Sequence, residues 1–368
     1  MNTINNRRIV IIFILTSIFT VVLLFLVVKV FLRVGVIDEN TTVAKVNNEQ
    51  ISFREFNKFM AENRAETMNY FRKTYGSDVN DKEFWEKRFG EEIPIEVLKQ
   101  RTLDQLTRIK VQQVLAREKG LVEDISYTGF LKLLKDENKK RREALARNEV
   151  IYGPQQYGEK EFFHYRFSNM VTDLKKVLEK DELSIDNEKL KIYYEEIKSK
   201  YYKYPDTIKI KRLFVNYSIS GNRNTLSENQ AKKEMEELAG QIDHHSFDEA
   251  VKQIAKSGNS NYSYEEHVFD MKNRKEDLDY HETTIGIADK LSEGQISEVF
   301  KDENRHCFSI IKCVEKIQHG YREFDDEKEL VKISYIEKKY NDLIDKMVEE
   351  ASIVVYKEVV DKVKADYF

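Results

Sequence analysis

The stretch KYPDTIKIKRLFVNYS, Lys203–Ser218, decides how this chain is divided. It holds Pro205, one of only three prolines, and then alternates polar and apolar residues, with Ile208, Ile210 and Phe214 among its apolar positions. A period of two marks a strand. Upstream of it the sequence reads as helix, and downstream the pattern is mixed. SENQAKKEMEELAGQI is a predicted helix with Ser227 as N-cap, and SFDEAVKQIAKSG is a second, capped at Ser246. GQISEVF and RHCFSIIKCVEKI are predicted strands. A β-α-α-β-β order over roughly 110 residues is a compact α+β domain with an antiparallel sheet.

Working outward, VAKVNNEQI at Val43–Ile51 reads as two short strands around a tight turn at Asn47-Asn48. Asparagine tolerates the left-handed conformation that a type I′ turn demands. Ser52 followed by Glu55 is a capping box. The helix it opens stops near Gly76. A second helix runs from about Ile95 to Lys119, with Ile95, Leu98, Leu103, Leu106, Ile109 and Val114 on one half of its surface and Gly120 at its end. Further helices are predicted near 124–148, 159–180, 186–203 and 323–351. The run KDENKKRREALAR reads as a solvated face. The chain closes with ASIVVYKEVVDKV, a strand and a short helix. The simplest fold packs this last helix and strand back on the early helices, with VAKV pairing SIVVY, so that the α+β domain is an insertion.

The amino end reads differently. No charge occurs from Ile9 to Val28. At about 1.5 Å per residue such a helix spans the roughly 30 Å of a bilayer's hydrocarbon core. Arg7 and Arg8 precede it, which favours a cytoplasmic amino terminus. The run is longer than a signal-peptide core and no small-x-small site follows, so it reads as an uncleaved signal anchor. The expected organisation is a tail over 1–8, an anchor over 9–34, a helical module over 41–204, the inserted domain over 205–320, and a closing segment over 321–368. The expected address is a single-pass place in the bacterial cell membrane with the bulk of the chain outside the cytoplasm.

Composition limits the function. With 368 residues, the chain is long enough for two domains. The formal net charge of -4, with both signs interleaved, gives no nucleic-acid footprint. Cys307 and Cys313 stand on one predicted strand, about 20 Å apart at roughly 3.3 Å per residue, so they cannot bridge.

Several stretches together resemble the SurA/PrsA/PpiD family of bacterial extracytoplasmic folding factors: VAKVNNEQISFREFNKFM, QRTLDQLTRIKVQQVLAREKGL, DNEKLKIYYEEIKSKYYKYPDTIKIKRLFV, SFDEAVKQIAKSG, LSEGQISEVF and EASIVVYKEV. The match spans roughly 41–365, thinly over 122–180. The resemblance implies a mainly helical, SurA-like chaperone module formed by the N- and C-terminal segments, with an inserted parvulin-like prolyl isomerase domain. It also implies unfolded or newly exported polypeptides as partners, and no cofactor.

Prolyl isomerisation needs no nucleophile, because its barrier is the partial double bond of the amide. A catalyst binds the twisted amide better than the planar one. In the family, parvulin sites use two histidines on adjacent strands, an Asp or Cys between them, and an apolar pocket. Here Arg212 stands in place of the first histidine and Ser309 in place of the second, and Asp289 takes an apolar pocket position. NSNYSYEEHVFDMKNRKED replaces a glycine-rich bend. Phe214, Phe300 and Phe308 are the substrate-binding candidates. His244-His245 reads as exposed loop, and His306 beside Cys307 makes a poor zinc site. His267 and His281 lie in the irregular stretch, where no spacing argument assigns them a role; no metal is expected. The first reading is a membrane-tethered chaperone whose parvulin-like domain has lost its chemistry. The others are an active isomerase in which Arg212 polarises the substrate carbonyl, and a scaffold that docks one folded partner.

Overall fold

The structure is a computed structural model describing residues 37–218, 226–242, 247–257 and 261–364. The expected membrane segment, the His244-His245 pair and the Ser246 cap lie outside the described residues. No helix among the described residues is long and apolar enough to cross a membrane.

The chain forms two compact units, the first from the residues up to Ile185 and from Ser334 onward, the second from Asp186 to Ile333. In the first, β1 (Thr42–Val46) and β2 (Glu49–Ser52) form a hairpin whose turn residues Asn47 and Asn48 both have positive φ, 47° and 67°. β7 (Ile353–Val355) pairs antiparallel with β1, Ala44 opposite Val355 and Val46 opposite Ile353, in a sheet ordered β2-β1-β7. This is the pairing expected between VAKV and SIVVY. Asn47 also fastens it: its backbone N–H donates to the Ser352 carbonyl, and its Oδ1 accepts from the Ser352 N–H, both at 2.9 Å.

Helix α1 (Phe53–Tyr75) ends at Gly76, whose φ of 62° suits glycine. It packs on α2 (Pro94–Glu118) around Phe56, Phe59, Met60, Leu98 and Leu106. The capping box forms only by half. Ser52 Oγ accepts from the Glu55 N–H at 3.3 Å. The Glu55 carboxylate instead lies 3.0 Å from Lys110 Nζ, both side chains 1% exposed. Burial pushes the Glu55 carboxyl above the usual carboxylate range, and Lys110 opposes that shift. Helix α3 (Tyr127–Ala146) and helix α4 (Glu159–Glu179) follow. The long helix α9 (Phe324–Glu349) places Tyr340 and Ile344 against Leu115, Leu174 and Leu178 of α2 and α4. Tyr340 donates to Gln112 Oε1 at 2.7 Å inside that contact. The short helix α10 (Lys357–Val360) buries Val360 in the first core.

The second unit opens with α5 (Asn187–Tyr201). The strands of its antiparallel sheet are β3 (Thr207–Asn216), β4 (Tyr262–Phe269), β5 (Phe300–Asp302) and β6 (Cys307–Ile317), ordered β4-β3-β6-β5. Within this unit the segments before β3 and after β6 are pinned together: the Tyr204 N–H donates to the Gly320 carbonyl at 3.0 Å and the Arg322 N–H to the Tyr202 carbonyl at 2.8 Å. Two helices, α6 (Glu228–Gln241) and α7 (Phe247–Ser257), cover the face made by Leu213, Val215, Phe308 and Ile310. Ser227 caps α6 with a full capping box. The opposite face, Ile208, Ile210, Ile311 and Cys313, packs against α8 (Arg274–Ala288).

Two elements differ from expectation. GQISEVF is a regular strand only at its end; before it, residues 294–297 meet β6 through the Ile296–Lys312 bridge and the Ser297 N–H bond to the Ile311 carbonyl. The supposedly irregular stretch NSNYSYEEHVFDMKNRKED contains β4, an edge strand paired with β3 over eight residues, and the start of α8.

Cys307 and Cys313 are buried and unbridged. Burial raises both thiols above their ordinary range. Neither is therefore expected to react with a thiol reagent in the native protein, and both react once it is denatured; a time course with a chromogenic disulfide checks this.

Candidate functional site

Arg212 sits in mid-strand β3, opposite Glu265 of β4 and Ile311 of β6. Its side chain shares a face with Ile208 and Ile210, and its exposure is 0%. No arginine tolerates that without partners. Nε donates to Ser309 Oγ at 3.1 Å and Nη2 to the same oxygen at 2.8 Å. Nη1 donates to Glu265 Oε1 at 3.1 Å, and Nη2 to the buried Asp302 Oδ2 at 3.2 Å. Cys307 Sγ lies 3.2 Å from Nη2. Arg305 closes the group, donating to both Glu265 oxygens at 2.9 and 3.3 Å. Burial raises the Glu265 carboxyl, but Arg305 and Arg212 outweigh it and hold it below the usual carboxylate range.

The two positions aligned with the histidines of a parvulin site are thus brought together, Arg212 against Ser309, as a buried network rather than a pair facing a cleft. Phe214 lies against two guanidiniums, with Arg212 5.0 Å and Arg305 5.3 Å from its ring centre. Phe300 is partly buried against the Ile208 cluster. Phe308 is on the other face, in the core under α6 and α7, so it does not share a site with Arg212. Asp289 follows α8 at the surface, where Arg274 reaches it at 3.5 Å. His306 has a φ of 51° at the turn before β6 and is exposed, while Cys307 beside it is buried.

Sequence reasoning passed over a cleft in the first unit. The loop after α3 folds back so that Tyr152, Tyr157 and Tyr165 line an open cavity of about 610 Å³ with Ile151 and Arg141. Tyr157 and Tyr165 stack at 5.7 Å, and Tyr152 is 88% exposed. Two residues of the charge run hold this loop. Arg141 Nη1 donates to the Tyr152 and Pro154 carbonyls at 2.9 and 2.8 Å. The buried Asn138 bonds both the N–H and the carbonyl of Tyr157, at 2.8 and 2.9 Å. The rest of that run is the solvated face it was read as, and nothing in its pattern singles out these two residues.

Residues 1–124 match the family model of the SurA-like N-terminal domain. The N-terminal part of the chain is similar to that domain. Among curated proteins none matches the chain. Among solved structures it is similar to one from work on two SurA-like chaperones of Campylobacter jejuni, at 13% identity and a TM-score of 0.29, covering 86% of this chain and 99% of that one. It is also similar to the foldase protein PrsA of Streptococcus pneumoniae, at 16% identity and a TM-score of 0.23, covering 89% and 100%. A third is the peptidylprolyl isomerase PrsA of Bacillus cereus, at 15% identity and a TM-score of 0.21, covering 85% and 91%. Within the SurA-like domain lie the hairpin, α1, α2 and the Glu55–Lys110 pair; the tyrosine cleft follows it in the chain.

Proposed function

We propose that this chain is a protein-folding factor of the bacterial cell envelope that holds non-native polypeptides without catalysing prolyl isomerisation by histidines. The observation that carries the reading is the tyrosine cleft in the same unit as the SurA-like domain. Tyrosine offers a large, stiff, amphipathic contact at low conformational cost, which suits clients of many sequences. The uncharged run Ile9–Val28 supports a membrane tether with the remaining chain outside the cytoplasm. Catalytic silence rests on Arg212 and Ser309, which are turned into the core and occupied with each other. A group that takes part in isomerisation must reach the substrate amide.

A photo-crosslinking residue placed at Tyr152 tests the binding reading. It is expected to capture an unfolded client and not the same client once folded. Equal capture of both, or of neither, contradicts it. On a proline-containing tetrapeptide the full chain is expected to leave the isomerisation rate at background; a rate above background contradicts the catalytic silence proposed for this domain.

A further inference from the structure

His267 on β4 and Asp277 and His281 on α8 converge from two elements that the sequence separates by a turn. One ligand atom from each lies within 4.8 Å of the other two. His267 Nε2 is 2.7 Å from Asp277 Oδ1, and the two imidazole rings lie 4.6 Å apart. His281 is the one residue inside α8 with non-helical torsions, φ -130° and ψ 19°, so the helix breaks where it presents this ring. Asp277 is 4% exposed, yet its Oδ2 has no hydrogen-bond partner among the described residues. A buried carboxylate oxygen left without a partner is costly. Fully buried Phe269 walls the group, its ring 4.6 Å from His267 and 5.9 Å from His281.

The charges around the group point to a cation. Arg212 and Arg305 face this region, but Glu265 binds both and Asp302 binds Arg212, so the guanidiniums are matched. Asp277 is left facing two imidazoles. Arg305 Nη1 lies 3.3 Å from His281 Nδ1, a long contact that Arg305 can give up while keeping Glu265.

We propose that His267, Asp277 and His281 form a site for a divalent transition metal of the zinc type, fastening edge strand β4 to the break in α8. Two imidazoles and one carboxylate are a nitrogen-rich set, which suits Zn²⁺ and not the oxygen-only preference of Ca²⁺ or Mg²⁺. Three protein ligands leave the fourth position to solvent.

The test is a titration of the full chain with Zn²⁺ against a chromophoric chelator, beside spectra of the same chain with Co²⁺. One Zn²⁺ per chain is expected. His281→Ala is expected to weaken binding roughly 100-fold and Asp277→Asn at least about 10-fold. Cys307→Ser and the His244→Ala/His245→Ala variant are expected to leave it unchanged. Zn²⁺ at a concentration that just saturates the wild type is expected to raise its melting midpoint by about 5 °C and that of His281→Ala far less. The Co²⁺ spectrum is read on the wild type, so it holds even where a variant misfolds; tetrahedral bands without a thiolate transition are expected. No bound Zn²⁺, Zn²⁺ affinity unchanged in a folded His281→Ala chain, or a thiolate band with Co²⁺ overturns the proposal. Proton uptake by His267 in place of Zn²⁺ binding also overturns it, by making a proton the occupant.

Discussion

Arg212→Ala is expected to destabilise the second unit by about 3–5 kcal/mol. The substitution removes the partner of Asp302, whose side chain is almost wholly buried and is left with one backbone N–H, from Arg305 at 3.2 Å. It also takes both donors from Ser309 and empties the volume of the largest fully buried side chain. Glu265 suffers less, because Arg305 still grips it. The double variant Arg212→Met/Asp302→Asn is therefore expected to recover much of the loss, since it fills the arginine's volume and removes the buried charge left unpaired, while the amide oxygen introduced at position 302 can still accept from the Arg305 N–H. Amide exchange along β3 and β6 reads the effect locally, which matters in a chain of two units where a single unfolding free energy is ill defined. A fully stable Arg212→Ala protein contradicts the buried-network account. The reverse design, Arg212→His with Ser309→His, forces a ring into the space of the fully buried Ser309 and leaves Asp302 without its guanidinium, so it is expected to unfold the sheet rather than restore an isomerase.

Lys110→Ala is the second large effect, about 3–5 kcal/mol in the first unit. Lys110 joins α2 to the first turn of α1 through Glu55, and its Nζ also donates to the Ile125 carbonyl at 3.4 Å. Without the lysine, Glu55 is a buried carboxylate that has lost its directly paired cation, with Lys58 the remaining cation acting on it. Its pKa, already raised by burial, then rises further, because the Lys110 charge that most opposed the rise is gone. A carboxyl whose folded pKa exceeds its unfolded value binds more protons when folded, so the deficit of Lys110→Ala shrinks as pH falls and grows as pH rises through the folded pKa. Glu55→Gln/Lys110→Met is expected to sit closer to wild type than Lys110→Ala. Trp85, the chain's single tryptophan, is buried in this same core and reports the transition by fluorescence.

Much of the fold was legible because local chemistry and tertiary packing agree. Asn47 and Asn48 take the left-handed torsions their turn requires, and Gly76 ends α1 where a residue with positive φ is needed. The β1–β7 pairing was legible because VAKV keeps a second edge free beyond its hairpin mate β2, and SIVV is a short apolar strand with no neighbouring strand in sequence. What was missed depends on faces and partners rather than on pattern. Strand β4 alternates Tyr262, Tyr264, Glu266 and Val268 with Ser263, Glu265, His267 and Phe269; neither set is clearly apolar, because β4 is an edge. Phe308 was assigned to the cleft although residue parity puts it with Ile310, opposite Cys307 and Ser309. Glu55 reads as a capping residue until Lys110, 55 positions along, is seen to claim it. The substitution of Arg212 for a histidine was visible in the sequence; that its side chain is enclosed by Glu265, Asp302 and Ser309 was not, since all three lie at least 50 residues away.

The measurement that bears most directly on this account is light scattering from a chemically denatured client diluted into buffer, with the full chain and with a Tyr152→Ala/Tyr165→Ala variant. The wild type is expected to suppress aggregation near equimolar ratio, and the variant to suppress it several-fold less while keeping its fold, since both side chains are solvent-facing. Aggregation as fast with the wild type as without it would contradict the proposal that this chain holds non-native polypeptides.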